Sequence, residues 1–421
     1  MDPQSPHEVI KNCLNYAIKL YKVTPWVSMN TGSKNKKISI AHVIIGLDTG
    51  GAETMLCKLL FGIDKNKFSQ SVISLTDGGT LRGKVESWGI PVHSLGLNQS
   101  AFSPNALLRL RKVINQLKPD LLQGWMPHGN FVASMAKFIC RKKNIKLFWN
   151  IRQSLDNFKY EKKLTELIIR LGAKWSSNIE KVIFNSYSGE NDHLQVGYCQ
   201  ENSVVIPNGF DTEVFIPNMQ AKSSVRNELG LSEKDFLIGR IGRYHFMKDH
   251  LSFLRAAGKI ITKYPNIMFV LAGLGIEPEN EELTRIINEN KLQDNIFLLG
   301  PRRDIPRLMA SFDISVSNSI IEGFPNIIGE SMSCAVPNVV TDAGDSARIV
   351  GDIGYVVPIK QSESLANAME ELINLDKEKL IILGEKSRDR IINNFSIQKI
   401  VSQYQKIYWD SINDTRQETC P

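Results

Sequence analysis

Two glutamates, Glu322 and Glu330, have seven residues between them, including a Gly-Phe-Pro break. Because Pro325 disfavours helix at the residue before it and suits a first helical turn, we predict Glu322 on a loop and Glu330 one turn inside a helix. The unpaired amides at 326–328 then point back towards the loop, where they attract an anion, above all a phosphate. The segment therefore offers a phosphate seat and two acceptors for hydroxyl groups, as a sugar nucleotide requires.

Two cations, Arg243 and Lys248, lie five positions apart in a loop that follows an apolar stretch. An arginine fork and a lysine point charge that converge on one place suit a diphosphate. The alternative is a pair of solvated loop cations. The glutamate segment in the same half of the chain favours the diphosphate.

Gly50 and Gly51 stand where a first strand meets a helix. Glycine there permits positive φ and lets the backbone approach a ligand closely. The surrounding sequence has neither the Gly-x-Gly-x-x-Gly pattern of dinucleotide binding nor the Lys-Ser/Thr of a P-loop. An NAD site and an ATP-hydrolysing P-loop are both disfavoured.

His128 and Arg152 each follow a predicted strand of the first half of the chain. Strand ends of open α/β sheets line the ligand crevice, so we expect His128 to form a hydrogen bond with substrate. Arg152 either meets an anion or pairs with an acid.

The elements that position these residues are two successive runs of alternating strands and helices, which predict an α/β protein with two doubly wound domains. An extension (1–37) with an amphipathic helix and a linker precedes a first domain at 38–208. A second domain at 209–395 is followed by a long helix and tail at 396–421. Strands are predicted at Ile38–Ile45, Ser71–Leu75, Val92–Leu95, Leu121–Trp125, Lys146–Ile151, Lys181–Asn185 and Ser203–Ile206, then at Leu237–Ile241, Ile267–Ala272, Ile296–Leu299, Ile314–Val316, Asn338–Thr341 and Tyr355–Pro358.

The net charge of +7 is uneven along the 421 residues. Residues 1–208 hold 27 Lys/Arg and 15 Asp/Glu, a net charge of +12, which leaves −5 for the remainder. A basic front half suggests an anionic partner such as a phospholipid surface, a phosphorylated acceptor or nucleic acid, or else solvated lysines. We find no stacked-aromatic pattern or nucleic-acid module, and therefore predict no nucleic-acid partner. The six cysteines are scattered and show no metal-ligand spacing. Together with the lack of a secretory signal pattern, they predict a cytoplasmic protein.

Two stretches have helical apolar spacing with lysines beside it, residues 7–24 and Tyr160–Lys181. Either helix could lie on a membrane surface. For both, packing on the helix's own domain is the preferred interpretation.

With these motifs the chain resembles the GT-B retaining glycosyltransferases of family 4, also called glycosyl transferases group 1, over residues 38–412. The Trp125–His128 and Asn150–Ser154 stretches are similar to the subgroup that makes bacterial surface polysaccharides. The chain departs from the family pattern with Ala335 in place of glycine and with Ser317–Ser319 before Glu322. The other matching segments are Gly50–Glu53, Pro207–Gly209 with Asp211, Arg243 with Lys248, and Glu322 through Glu330.

The resemblance implies two Rossmann-like domains facing across a cleft, with the last helix crossing back to the first domain. It implies a nucleotide sugar bound mainly to the second domain, with no cofactor and no metal ion. Glu322, His128, Arg243 and Lys248 are the implied catalytic residues. Donor contacts are implied for Gly50, Gly51, Arg243, Lys248, Asp304, Ile305, Glu322, Gly323, Phe324, Pro325, Asn326, Ile327 and Glu330.

Within these roles, Arg243 and Lys248 would hold the diphosphate and Glu330 the ribose hydroxyls. Glu322 would bind the donor sugar, and Asp304–Ile305 would lie beside the nucleotide base. The expected reaction transfers a sugar, from a UDP-sugar by family habit, to a saccharide carried on a polyprenyl diphosphate. It would serve capsule, O-antigen or exopolysaccharide assembly at the inner face of the cytoplasmic membrane. A GT-B sugar-nucleotide epimerase and a non-catalytic sugar-nucleotide-binding protein are the alternatives.

Overall fold

A computed structural model describes residues 37–97, 104–140, 144–155 and 163–417. The predicted extension up to residue 36, with its amphipathic stretch at 7–24, lies outside these residues.

The first sheet has seven parallel strands in the order β3-β2-β1-β4-β5-β6-β7. The order reverses between β1 and β4, whose carboxyl ends therefore flank a crevice. The strands are β1 (Ile38–Ile44), β2 (Phe68–Ser74), β3 (Val92–Ser94), β4 (Leu121–Trp125), β5 (Lys146–Ile151), β6 (Lys181–Phe184) and β7 (Ser203–Val205). Its helices are α1 (Gly51–Gly62), α2 (Arg82–Ser87), α3 (Pro104–Leu117), α4 (Met126–Cys140), α5 (Lys163–Trp175) and α6 (Tyr187–Gln195).

The second sheet has six parallel strands in the order β10-β9-β8-β11-β12-β13, with its reversal between β8 and β11. The strands are β8 (Phe236–Ile241), β9 (Ile267–Ala272), β10 (Ile296–Leu298), β11 (Ile314–Ser317), β12 (Asn338–Thr341) and β13 (Tyr355–Val357). Its helices are α7 (Met219–Glu228), α8 (His250–Lys263), α9 (Glu281–Glu289), α10 (Ile305–Met309), α11 (Asn326–Ser333), α12 (Ser346–Val350), α13 (Ser362–Ile373) and α14 (Lys377–Phe395). Each sheet with its helices is called here the first or the second domain.

The last helix, α15 (Ile397–Gln417), confirms the predicted crossing back to the first domain. Its Tyr404 and Tyr408 are fully buried in the core cluster that α1 and β1 also line. The Tyr404 hydroxyl accepts a hydrogen bond of 2.7 Å from the Asn150 side chain, and the Tyr408 hydroxyl donates to Gln123. Two aromatic rings buried with their hydroxyls paired tie the chain's end to the first sheet.

Each of the thirteen strands overlaps a predicted stretch, although β2 begins at Phe68 instead of Ser71. The strands were predictable because both faces of each sheet are covered and most strands are mainly apolar. One local expectation needs correction. The segment after Trp125 does not merely end a strand: Met126, at φ +64, turns the chain directly into α4. Pro127 fits that first turn. No helix in the described part of the chain is long and apolar enough to cross a bilayer.

The amphipathic stretch beginning at Tyr160 folds from residue 163 as α5, but the preferred interpretation of core packing is wrong for half of its stripe. Leu164 is 60% exposed and Leu167 53% exposed. Their neighbour Ile169 faces the core instead. The outer side of α5 is therefore both apolar and basic.

Candidate functional site

Two loops at the carboxyl ends of β8 and β11 bring Lys248 and Glu322 together. The Lys248 ammonium forms an ion pair with Glu322 Oε1, to which the Ser319 hydroxyl also donates at 2.7 Å. The loops are joined through their backbones as well, since the amide of Ile320 donates to the Met247 carbonyl at 2.7 Å. The sequence predicted both residues in one site, and the structure places them in direct contact.

A buried guanidinium, which the sequence motifs did not identify, holds these two loops in register. Arg240 is 3% exposed near the end of β8 and donates to the Lys248 carbonyl and, at 2.8 Å, to Asn318 Oδ1. Asn318 in turn donates to the Asp249 carbonyl at 2.7 Å. Asn318 and Ser319 thus hold the Glu322 loop in place through their side-chain hydrogen bonds.

The site carries a positive field. Arg243 is exposed and its guanidinium forms no ion pair within the described residues. Burial lowers the pKa of the Arg240 guanidinium to about 9, with Asp249 and Glu322 opposing the shift. The pKa of His245 is also lowered, by burial first and then by Arg243 and Lys248. Arg243 and Lys248, which disfavour protonation of His245, would favour binding of an anion at this place.

Glu330 lies one turn inside α11, as predicted from Pro325, which stands at the N-cap of that helix. Burial raises the pKa of Glu330, and Lys58 of α1 opposes the shift. Burial lowers the pKa of Lys58, which Glu330 and then Asp211 raise. A cation on the first domain and a carboxylate on the second therefore stabilise each other's charged forms across the cleft.

The sequence also predicted two site residues in the first domain, His128 and Arg152. His128 lies in the first turn of α4 and is half-buried. Arg152 donates to Asn150 Oδ1 at 3.1 Å and to Asn208 Oδ1. Burial lowers the pKa of its guanidinium, and Tyr404 and then Glu53 oppose that shift. The Asn208 amide then donates to Asn326 Oδ1 at 2.6 Å, which links Arg152 to the start of α11.

Gly50 and Gly51 form the N-terminus of α1, but positive φ is not why glycine is found there. Gly50 is extended, with φ −147 and ψ 171. A Cβ on Gly50 would lie 2.3 Å from Glu53 Oε2, whereas one on Gly51 would meet nothing within 4 Å. A Cβ at position 50 would displace only the flexible end of the Glu53 side chain, whereas Gly51 leaves its backbone open for close approach.

Two other predicted donor contacts have side chains that are already engaged. The Asp304 carboxylate accepts from Arg302 and Arg307, and these bonds hold the pKa of Asp304 well below its usual range. Phe324 is 7% exposed and packs on Phe210, with ring centroids 6.0 Å apart. The backbone at Ile305 and around Phe324 is what these positions can offer a ligand. Among the described residues, no group of three His, Cys, Asp or Glu side chains could hold a metal ion.

Two protein-family models match consecutive parts of the chain. Residues 49–214 match the model described as Glycosyltransferase Family 4, and residues 221–395 match Glycosyl transferases group 1. The two matches correspond to the two domains on either side of the cleft.

Among curated proteins, the chain is 24% identical over 355 residues to the putative glycosyltransferase EpsF of Bacillus subtilis (strain 168), covering 80% of this chain and 86% of that protein. It is 31% identical over 212 residues to the Escherichia coli UDP-Gal:alpha-D-GlcNAc-diphosphoundecaprenol alpha-1,3-galactosyltransferase, covering 49% and 54%. The solved structure of Anabaena HepE with UDP and glucose has a TM-score of 0.74 at 24% identity, covering 89% of this chain and 100% of that one. At this identity the structural likeness shows the shared fold.

Proposed function

Because the chain belongs to the family 4 glycosyltransferases and has their GT-B fold, we propose that it transfers a sugar from a UDP-sugar to a lipid-linked saccharide, with retention of anomeric configuration. The reaction would serve assembly of a surface polysaccharide such as a capsule, O-antigen or exopolysaccharide. The UDP donor and the polyprenyl-diphosphate acceptor are supported by a relative whose name specifies both.

The Lys248–Glu322 ion pair carries this proposal, because it joins a cation for the diphosphate to an acceptor for sugar hydroxyls. Arg243 would share the diphosphate with Lys248, helped by the open backbone at Gly50–Gly51 and the first amides of α11. Glu330 would accept the ribose hydroxyls. The backbone at Asp304–Ile305 would border the base, and His128 would contact the sugar from the acceptor side.

In this reaction these residues would stabilise the leaving diphosphate. In a front-face displacement, the acceptor oxygen forms a bond to the anomeric carbon as the bond to the diphosphate breaks. The acceptor's proton passes to the departing phosphate oxygen. Lys248, Arg243 and the helix N-terminus would offset the growing negative charge. Glu322 is already bound by an ammonium and a hydroxyl, which suits a positioned acceptor better than a covalent nucleophile.

We propose that the chain works in the cytoplasm, against the anionic inner face of the cytoplasmic membrane, where a lipid-linked acceptor resides. The basic first half and the exposed leucines of α5 support this contact.

A donor screen tests the function directly. Purified protein would be incubated with UDP- and GDP-sugars, with and without a lipid-linked saccharide, in the presence of EDTA. We expect release of nucleoside diphosphate only with acceptor present. Lys248→Ala should lower kcat/KM by about 100-fold, as loss of a charge-stabilising donor does, and Glu330→Ala should raise the donor KM.

The matched control is Lys259→Ala, which removes a lysine from the exposed side of α8. Full turnover in both Lys248→Ala and Glu330→Ala would show that the site is assigned wrongly. A sugar altered without acceptor, followed by NMR, would indicate the epimerase instead. Donor binding with no turnover would indicate a binding protein.

A further inference from the structure

A carboxylate of the second domain caps a helix of the first. Asp345 Oδ2 accepts from the amide of Tyr187 at 2.9 Å, and Oδ1 accepts from the amide of Ser188 at 3.0 Å. These are the first two amides of α6, whose N-cap Ser186 accepts from Gly189 at 3.0 Å. A helix N-terminus offers unpaired donors and a favourable dipole, so a carboxylate from another domain fits it well.

The backbone of Asp345 holds the donor-sugar loop. Its amide donates to the Gly323 carbonyl at 2.9 Å. The preceding Gly344, at φ +55, lies so near that a Cβ there would stand 2.3 Å from the Glu322 carbonyl oxygen. One residue therefore touches both the first domain, through its side chain, and the Glu322 loop, through its main chain.

The first domain also reaches this loop from its own side. A Cβ added to Gly323 would lie 3.5 Å from Ser186 Oγ and 3.7 Å from the backbone nitrogen of Ser154. Next to it, the Arg348 guanidinium lies 4.2 Å from the centroid of the Tyr187 ring. The loop at 322–323 is thus enclosed between α6 and the Gly344–Asp345 turn.

We propose that Asp345 is a positioning residue that couples closure of the cleft to the geometry of the donor-sugar loop. This rests on the proposed function for the role of Glu322. Asp345 is 3% exposed, and a carboxylate that deeply buried requires hydrogen-bond partners. Docking of α6 supplies two. Separation of the domains removes both and releases the turn that supports Gly323, so Glu322 is held for sugar binding only when the first domain is in place.

The test compares Asp345→Ala with Asp342→Ala, which removes an exposed aspartate three positions earlier. Hydrogen exchange of the amides at 187–188 and 323–324 would be followed with and without UDP, together with kcat and the UDP Kd. For Asp345→Ala we expect faster exchange at both segments and a kcat lowered about 10-fold or more, as for loss of bonds to a charged acceptor. The UDP Kd should change less than about 2-fold, because in the proposed site UDP contacts mainly residues of the second domain other than Asp345.

A second variant approaches from the other side, in case Asp345→Ala folds poorly. Tyr187→Pro removes one donated amide and the ring under Arg348, at a helix start where proline is tolerated and after an extended residue, Ser186 (φ −149, ψ 151). Tyr187→Phe, which keeps amide and ring, is its control. We expect Tyr187→Pro to reproduce the faster exchange at 323–324, which lies in the other domain.

Unchanged exchange at 323–324 in both variants would overturn the coupling, as would a fall in kcat matched by an equal loss of UDP affinity. The exchange measurement needs no turnover. If the wild-type protein transfers no sugar but both variants loosen 323–324, the proposed function fails and the coupling stands.

Discussion

At the scale of residues, the sequence predicted which charged groups come together in the candidate site better than it predicted the groups that hold them. Glu322, Glu330 and Lys248 were predictable because loop cations and a proline-led helix have recognisable chemistry. Arg240 was not, although one signal exists: a lone cation within the apolar stretch Phe236–Ile241. Which atoms it would bond depends on the fold, since its partners lie eight and 78 positions away.

Glu330 gives a pH prediction at this scale. Its pKa is raised by burial and opposed by Lys58. In the proposed site the ionised form would accept ribose hydroxyls more strongly than the neutral form, so the donor KM should rise as pH falls through the raised pKa. Lys58→Met removes the opposing cation, raises that pKa further and should move the rise in KM to higher pH, by about 0.5–1 pH unit.

The measurement is donor KM between about pH 5 and 9 for the wild type, Lys58→Met and the surface variant Lys259→Met. Profiles of Lys58→Met and wild type that superimpose would contradict the electrostatic pairing. A shift to lower pH would contradict its sign.

At the scale of elements, apolar patterns in the sequence located the strands. Where these patterns missed a helix or misassigned a helix face, there is a physical cause. The 19-residue α14 was not predicted, because it buries little more than Gly384, Ser387 and Ile391 and so shows almost no apolar stripe. The α5 stripe was interpreted as core, although Leu164 and Leu167 face outwards. Spacing alone shows that a face is apolar, not what covers it.

The end of α11 gives a stability prediction. Ala335 has φ +58, and the amides of Ala335 and Val336 donate to the carbonyls of Met332 and Ser331. This is a Schellman ending, whose left-handed position favours glycine. Replacing Ala335 by Gly should raise the unfolding free energy by about 0.5–1 kcal/mol, because relief of strain exceeds the entropic cost of glycine.

Thermal unfolding checks this, with an expected rise in Tm of about 1–3 °C. Ala310→Gly is the matched control, because Ala310 also follows a helix but has φ −64. It should lower Tm. A lower Tm for Ala335→Gly would show that the left-handed alanine is not strained.

At the scale of the whole molecule, two segments connect the domains and pair with each other. The amide of Phe210 donates to the Phe395 carbonyl, and that of Ile397 donates to the Phe210 carbonyl, both at 2.8 Å. The two α/β domains were predictable from the repeated alternation of strands and helices, and the returning helix from the resemblance to the family. Their mutual placement was not, because it depends on pairs such as Asp345 with α6 that no spacing rule reveals.

The charge asymmetry also belongs to the whole molecule, and the first domain has the surface to use it. Leu108 of α3 is 65% exposed and Phe138 of α4 is 84% exposed; α3 packs beside α4, and α4 packs beside α5. Exposed lysines and arginines accompany them: Arg111, Lys112, Lys163, Arg170 and Lys174. Apolar side chains among basic ones match an interface between acyl chains and anionic headgroups.

Vesicle flotation tests this orientation. We expect the wild type to bind vesicles with phosphatidylglycerol, weakly bind pure phosphatidylcholine, and lose affinity with added salt, because the cations act through a screened field. Leu164→Ser with Leu167→Ser should weaken binding about 10-fold, since each leucine would lose part of a transfer free energy of about 1.5–3 kcal/mol. Ile381→Ser, at a 53% exposed position of the second domain, is the control. Equal loss in the control, or equal binding to both vesicles, would mean that this face does not dock on the membrane and that the acceptor reaches the cleft another way.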